Sequence, residues 1–212
     1  MTQAQSENLS TLIASLRSRM PFSKERAQMA KLIYQLIASG QPLEASVLAE
    51  KTGQTIAEIE QMFQQLSVQG CELNEQGALV GATITQNPTE HILRVFGQTL
   101  YAWCALDTLF LPAYLDTVAE VESRCPISGE ILYLTIGPQG VIDAKPAGIT
   151  LSIVTDTCCT AGPDGTFCGR IHFFRSAEDA QTWAAQFDDV TVLSLDEACQ
   201  LAREVYIAPL FA

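Results

Sequence analysis

A run of fourteen residues, LYAWCALDTLFLPA from Leu100 to Ala113, carries a single formal charge, at Asp107. A helix that is apolar all round has to be buried on every side, so this run predicts a helix from Leu100 enclosed within one core. A chain of 212 residues, 48% hydrophobic and 17% charged, is long enough to supply that enclosure and is expected to fold. Cys104 and Asp107 stand three residues apart, which on a helix places them on one face, among Leu100, Trp103, Leu106, Leu109, Phe110 and Leu111. Desolvation raises the pKa of an acid. A carboxyl held there stays protonated near neutral pH, or takes a proton from the thiol and passes it on. The plainer alternative makes Cys104 a small core residue, since free Cys is among the most buried residue types, with Asp107 as a local cap. Buried carboxylates are nonetheless rare unless paired or functional.

Upstream, Leu9, Leu12, Ile13 and Leu16 recur at helical spacing, and a second amphipathic run extends from Lys24 to Ser39, where Gly40 ends it. Then Pro42 opens a short helix that Gly53 closes, and Thr55 with Glu58 forms a capping box for another. The stretch CELNEQGALVGATIT has the turn residues and alternation of a two-stranded wing. Residues 1–85 therefore read as a winged-helix-like unit. Its presumed recognition helix, TIAEIEQMFQQL, holds two glutamates and no Lys or Arg. Gln61, Gln64 and Gln65 could read bases, but phosphate contacts need cationic or amide donors, so the unit is expected to pack on the rest of the chain.

Asn87-Pro88 marks a joint. Beyond it HILRVFG, EVESRC, EILYLTIG, ITLSIVTD, CGRIHFF and VTVLSL read as strands, and AEDAQTWAAQF and LDEACQLAREVY as helices. That order predicts an α+β domain over 86–212 with a mixed or antiparallel sheet.

Net charge is −12; residues 1–70 hold six basic and six acidic side chains, residues 101–212 five basic and fifteen acidic. Such a surface repels phosphate backbones and anionic lipid, which excludes nucleic acid and membranes as favoured partners. The first twenty residues contain no apolar run of signal-peptide or membrane-span length, so a cytoplasmic location is expected. The seven cysteines are an odd number, which argues against a complete disulfide framework. No Cys-x-x-Cys pair occurs, and the histidines are His91 and His172 alone, a poor basis for a zinc ribbon or a His-rich zinc site.

Thiols cluster again in TDTCCTAGPDGTFCGRIHFF. Cys158 and Cys159 fall in a Gly/Pro/Asp-rich loop, and Cys168 opens the CGRIHFF strand, whose alternation puts Cys168, Arg170, His172 and Phe174 on one face. A half-buried strand with an incidental thiol fits this pattern; so do soft thiolates converging on a soft metal ion such as Hg(II) or Cu(I). Cys125, in RCPISG, looks like half of a zinc knuckle and reads as structural.

These blocks resemble the organomercurial (alkylmercury) lyases, in which a Cys-x-x-Asp on a helix works with a distant cysteine at the start of a Phe-Cys-x-x-x-His-Phe-Phe strand. The corresponding residues are Cys104, Asp107 and Cys168, and KPAGITLSIV and HFFRSAEDAQTW are also similar. The likeness runs from about Leu43 to Glu197. It implies a winged-helix-like N-terminal part joined to an α+β catalytic domain, and protonolysis of a carbon–mercury bond with no organic cofactor and no resident metal. Cys104, Cys168 and Asp107 would hold the mercury of substrate and product, Asp107 would deliver the proton, and low-molecular-weight thiols or a mercuric reductase would remove Hg(II). Family members often carry a second cysteine where this chain has Gly169, and the Cys158-Cys159 pair is an addition here.

Three other readings stand beside this one. A thiol hydrolase would use Cys104 or Cys168 with His172 as base; on a strand, Cys168 and His172 would lie roughly 13 Å apart, which leaves Cys104 with His172. A metal-responsive regulator would use the helix-turn-helix. A relative that binds Hg(II) without turnover would share the same residues.

Overall fold

The computed structural model describes residues 3–19, 23–155 and 167–212. It is an α+β fold in which every strand pairing is antiparallel. Four helices come first: α1 (Gln3–Arg19), α2 (Lys24–Ile37), α3 (Ala45–Thr52) and α4 (Ile56–Val68). The signals at Gly53, Thr55 and Glu58 operate as expected, while Pro42 precedes α3, whose N-cap is Glu44. The Ser23 hydroxyl caps α2, Gly53 closes α3 in the left-handed region, and Thr55 and Glu58 cap α4 reciprocally, with the Thr55 amide donating to the Glu58 carboxylate at 2.8 Å.

Eight strands form the main sheet: β1 (Glu72–Leu73), β2 (Leu79–Ala82), β3 (Ile84–Thr85), β4 (His91–Val95), β5 (Gln98–Ala102), β6 (Ala119–Arg124), β7 (Ile131–Gly137) and β8 (Gly140–Lys145). Their spatial order is β1-β2-β3-β5-β4-β6-β7-β8, so the hairpin that follows α4 continues without a break into the strands beyond Asn87-Pro88. Ile84 pairs with Ala102 at the crossing. On β6 and β7, Ala119, Val121, Ser123, Leu132, Leu134 and Ile136 point inward while Glu120, Arg124 and Tyr133 face solvent, the alternation of a sheet covered on one side.

A second sheet of three strands, in the order β10-β9-β11, is built from β9 (Thr150–Val154), β10 (Phe173–Phe174) and β11 (Val190–Ser194). Helices α6 (Ala177–Ala184) and α7 (Leu195–Ala202) flank β11, and a π-helical turn, Arg203–Ile207, continues α7.

Between these layers lies α5 (Ala105–Leu115), all of whose residues are buried. It packs on α2, α7 and the inner face of the main sheet. The enclosure inferred from its composition is present, but the helix begins at Ala105, because Leu100, Tyr101 and Ala102 belong to β5. A short apolar run suits a buried strand as well as a buried helix, and periodicity does not separate the two. Nor is Cys168 on a strand. Cys168–Arg170 forms a 3-10 turn, and pairing starts only at Phe173, so the single-face placement of Cys168, Arg170, His172 and Phe174 does not hold. The 13 Å strand separation of Cys168 and His172 falls with it. Cys158 and Cys159 lie outside the described residues.

Candidate active site

Cys104 occupies the N-cap of α5, with extended backbone (φ −147°, ψ 171°). Its amide donates to Asp107 Oδ2 at 3.0 Å. Cys104 and Asp107 thus form a capping-box arrangement with sulfur where Ser or Thr usually stands. The two side chains meet because one caps the helix and the other sits in its first turn, not because they share the face of a continuing helix.

The Cys168 turn is held from several sides. Ile171 N donates back to Cys168 O at 3.1 Å, and Ser152 N donates to His172 O at 3.1 Å. The Ser152 hydroxyl donates to Arg170 O at 2.8 Å and accepts from His172 N at 3.0 Å. His172 Nε2–H donates to Gly169 O at 3.0 Å. Arg170 Nη1 reaches both oxygens of Asp189, at 2.8 and 2.9 Å, while its guanidinium lies 4.7 Å from the centroid of the Phe187 ring. The turn also meets α5 directly, through Ala105 N donating to Ile171 O at 3.2 Å.

The result is a cluster of Cys104, Asp107 and Cys168 whose ligand atoms all lie within 4.8 Å of one another. Among the described residues it is the one group of three or more Cys, His, Asp or Glu side chains spaced to hold a single ion. Cys104 is 1%, Cys168 5% and Asp107 8% exposed, so charge in the cluster is costly. Burial pushes the Asp107 carboxyl from 3.8 up to about 7, against the opposing effect of its hydrogen bonds with Cys104. Burial, reinforced by Cys168 and Asp107, holds the Cys104 thiol well above its usual range. The helix N-terminus favours anions at these positions, but desolvation wins. A soft cation entering here would displace the thiol protons, and the adjacent carboxylate can take one up.

Tyr206 forms part of the surroundings: its phenol is raised by burial first, then by Asp107, Cys104 and Cys168. Its ring stacks on Phe110 with centroids 4.6 Å apart, and Tyr114 Oη donates to Tyr206 O at 2.7 Å. No periodic signal marked Tyr206, which reaches the cluster from the π-helical turn near the C-terminus. His91 is structural: it is buried, its Nδ1 lies 2.7 Å from Ser123 Oγ across the β4–β6 pair, and burial lowers it to about 3. Cys125 is also buried, 3.5 Å from Asp179 Oδ2, as its structural reading anticipated.

Comparison with known proteins is consistent with this geometry. The alkylmercury lyase (MerB) family model matches residues 84–207. The alkylmercury lyase of Staphylococcus epidermidis is 36% identical over 82% of this chain and 79% of its own length. That of Streptomyces lividans is 33% identical over 94% and 92%, and that of Bacillus cereus 35% over 81% and 77%. A crystal structure described as the mercury-bound form of MerB2 superposes with a TM-score of 0.76 at 25% identity, covering 94% of this chain and 97% of that one. A match of this breadth, in a fold that gathers two thiols and a carboxyl in one buried cluster, places the chain in the alkylmercury lyase family: it is an organomercurial lyase.

Proposed function

We propose that Cys104, Cys168 and Asp107 carry out the carbon–mercury cleavage of this lyase. The observation that supports it is the mutual approach of their ligand atoms, within 4.8 Å. A thiolate from Cys104 or Cys168 displaces the thiol that carries R–Hg⁺ and forms a sulfur–mercury bond; the second thiolate adds, weakening the bond from mercury to carbon. Asp107 accepts the proton that mercury displaces from the buried thiol and delivers it to the carbon as the carbon–mercury electron pair becomes the new C–H bond. R–H leaves. Hg(II) stays on Cys104 and Cys168, with Asp107 beside it, until low-molecular-weight thiols or a mercuric reductase take it away. No organic cofactor and no resident metal enters this sequence of steps.

The N-terminal helices and hairpin act as a winged-helix-like unit, residues 1–85, that serves packing on the catalytic part, residues 86–212, and not DNA. The acidic α4 supports that assignment. Five free thiols among the described residues suit a reducing cytoplasm. A Cys–His hydrolase would need a hydrogen bond between the His172 ring and a thiol; among the described residues that ring bonds to Gly169 O and packs against Trp183 and Phe174 instead. Incubation of the purified protein with phenylmercury and excess thiol tests the proposal: benzene and thiol-bound Hg(II) are the expected products, and Hg(II) binding without benzene would overturn it.

A further inference from the structure

Trp103 immediately precedes Cys104 and is anchored at two points. Its amide donates to Thr83 O at 3.0 Å, and its indole Nε1–H donates to Glu72 Oε2 at 2.8 Å. The other carboxylate oxygen of Glu72 accepts from Asn87 Nδ2 at 2.7 Å. Glu72 lies on β1 opposite Gly81 on β2. A β-carbon on Gly81 would collide with Glu72 Oε2 and would lie 2.7 Å from Thr85 Oγ1. The backbone of Gly81 is not left-handed, so the missing side chain is used for space. That space is occupied by the carboxylate that holds the indole.

We propose that Glu72 is a positioning residue for Cys104, acting through the Trp103 indole. The proposal rests on Cys104 being a mercury-binding thiol. On its C-terminal side Cys104 is fixed by Asp107 and by the Ala105–Ile171 bond. On its N-terminal side the chain leaves β5 at Ala102, and Trp103 is the one residue between the strand and the thiol. Two sulfurs that must grip one mercury atom need their backbones held within about 0.5 Å. Glu72 supplies the N-terminal half of that restraint from the hairpin at the far end of the sheet, which ties the N-terminal unit to the chemistry.

The test is a double-mutant cycle in the full chain, with benzene release from phenylmercury in excess thiol as the activity and thermal melts as the fold control. Glu72→Ala should lower kcat about tenfold, a modest loss for a displaced catalytic group, with KM within about twofold. Glu72→Gln keeps an acceptor for the indole and should restore kcat to within about twofold of wild type. In the Trp103→Phe background, which has no indole donor, Glu72→Ala should change kcat by less than about twofold. Wild-type kcat in Glu72→Ala, or an undiminished Glu72→Ala effect in the Trp103→Phe background, overturns the positioning role while leaving the lyase mechanism intact. A wild type that releases no benzene overturns both. Should Glu72→Ala be too unstable to purify, Trp103→Phe alone decides: it must show the kcat loss, and wild-type kcat there overturns the proposal.

Discussion

The amide of Ala105 donates to the carbonyl of Ile171 at 3.2 Å, joining the first residue of α5 to the residue that closes the Cys168 turn. Two thiols far apart in sequence are thereby placed together by a bond between backbones. Side-chain substitution cannot delete that bond, but it can loosen the turn that presents Ile171.

Ser152 is the point at which to loosen it. The residue is fully buried and hydrogen-bonds to both Arg170 and His172. Ser152→Ala leaves those two backbone groups short of a partner, at a cost of about 1–3 kcal/mol. Thermal melts should record a fall of several degrees, and kcat should drop about tenfold as Cys168 loses its fixed position. An unchanged kcat would show that Ser152 contributes to stability only.

Replacing either thiol has a different signature. Cys104→Ser and Cys168→Ser should each abolish benzene formation, a loss of at least about a hundredfold, because a hydroxyl is a poor ligand for soft Hg(II). Both variants should fold, since the replacement keeps the side chain's shape and adds no bulk, and thermal melts check this. If Cys168→Ser retains activity while Cys159→Ser loses it, the second mercury ligand has been assigned to the wrong cysteine.

Stability and activity should separate at Asp107. A carboxyl raised from 3.8 to about 7 by folding binds its proton more tightly in the native state. Stability from this group is therefore fullest below its unfolded value and declines as pH rises through its folded one. Asp107→Asn keeps an acceptor for the Cys104 amide and removes the buried charge. At pH 8 it should raise stability, by on the order of a few kcal/mol at most, and with it the melting temperature, while abolishing turnover. A lower melting temperature at pH 8 would contradict the assigned burial penalty.

In the proposed mechanism the same group sets the pH dependence of capture. Only the carboxylate form can accept the proton that mercury displaces from Cys104, so kcat/KM for phenylmercury should rise with pH through about 7 and then level off. A profile that falls over that range would mean that the carbon is protonated by an acid already loaded in the free enzyme.

Much of this arrangement was legible in the residues, for reasons that also explain the misses. Thr55 and Glu58 announced α4 because a capping box is local chemistry, and EVESRC and EILYLTIG announced β6 and β7 because one face of the sheet is wet. The start of α5 was hidden because its cap is a cysteine and because β5 runs apolar into it. The pairing of Cys104 with Asp107 does not depend on where the helix starts, since an N-cap and the third helical residue are also three apart. For Cys168, alternation suggests a strand where Ser152 stabilises a turn, and that partner lies on a distant segment. Glu72 carries no local signal for the same reason: its partner Trp103 lies 31 residues away and meets it only in the folded sheet.

The unbroken run of the main sheet from β1 to β8 also bears on how this chain can be cut and recombined. A fragment trimmed to residues 84–207 would retain Cys104, Asp107 and Cys168 yet lose β1 and β2, leaving the two residues of β3 as a frayed border of unpaired backbone groups inclined to stick to other chains. Chimeras between relatives should therefore exchange the hairpin and the thiol-bearing segment as a unit, because a graft that separates them breaks the β2–β3 pairing that joins them.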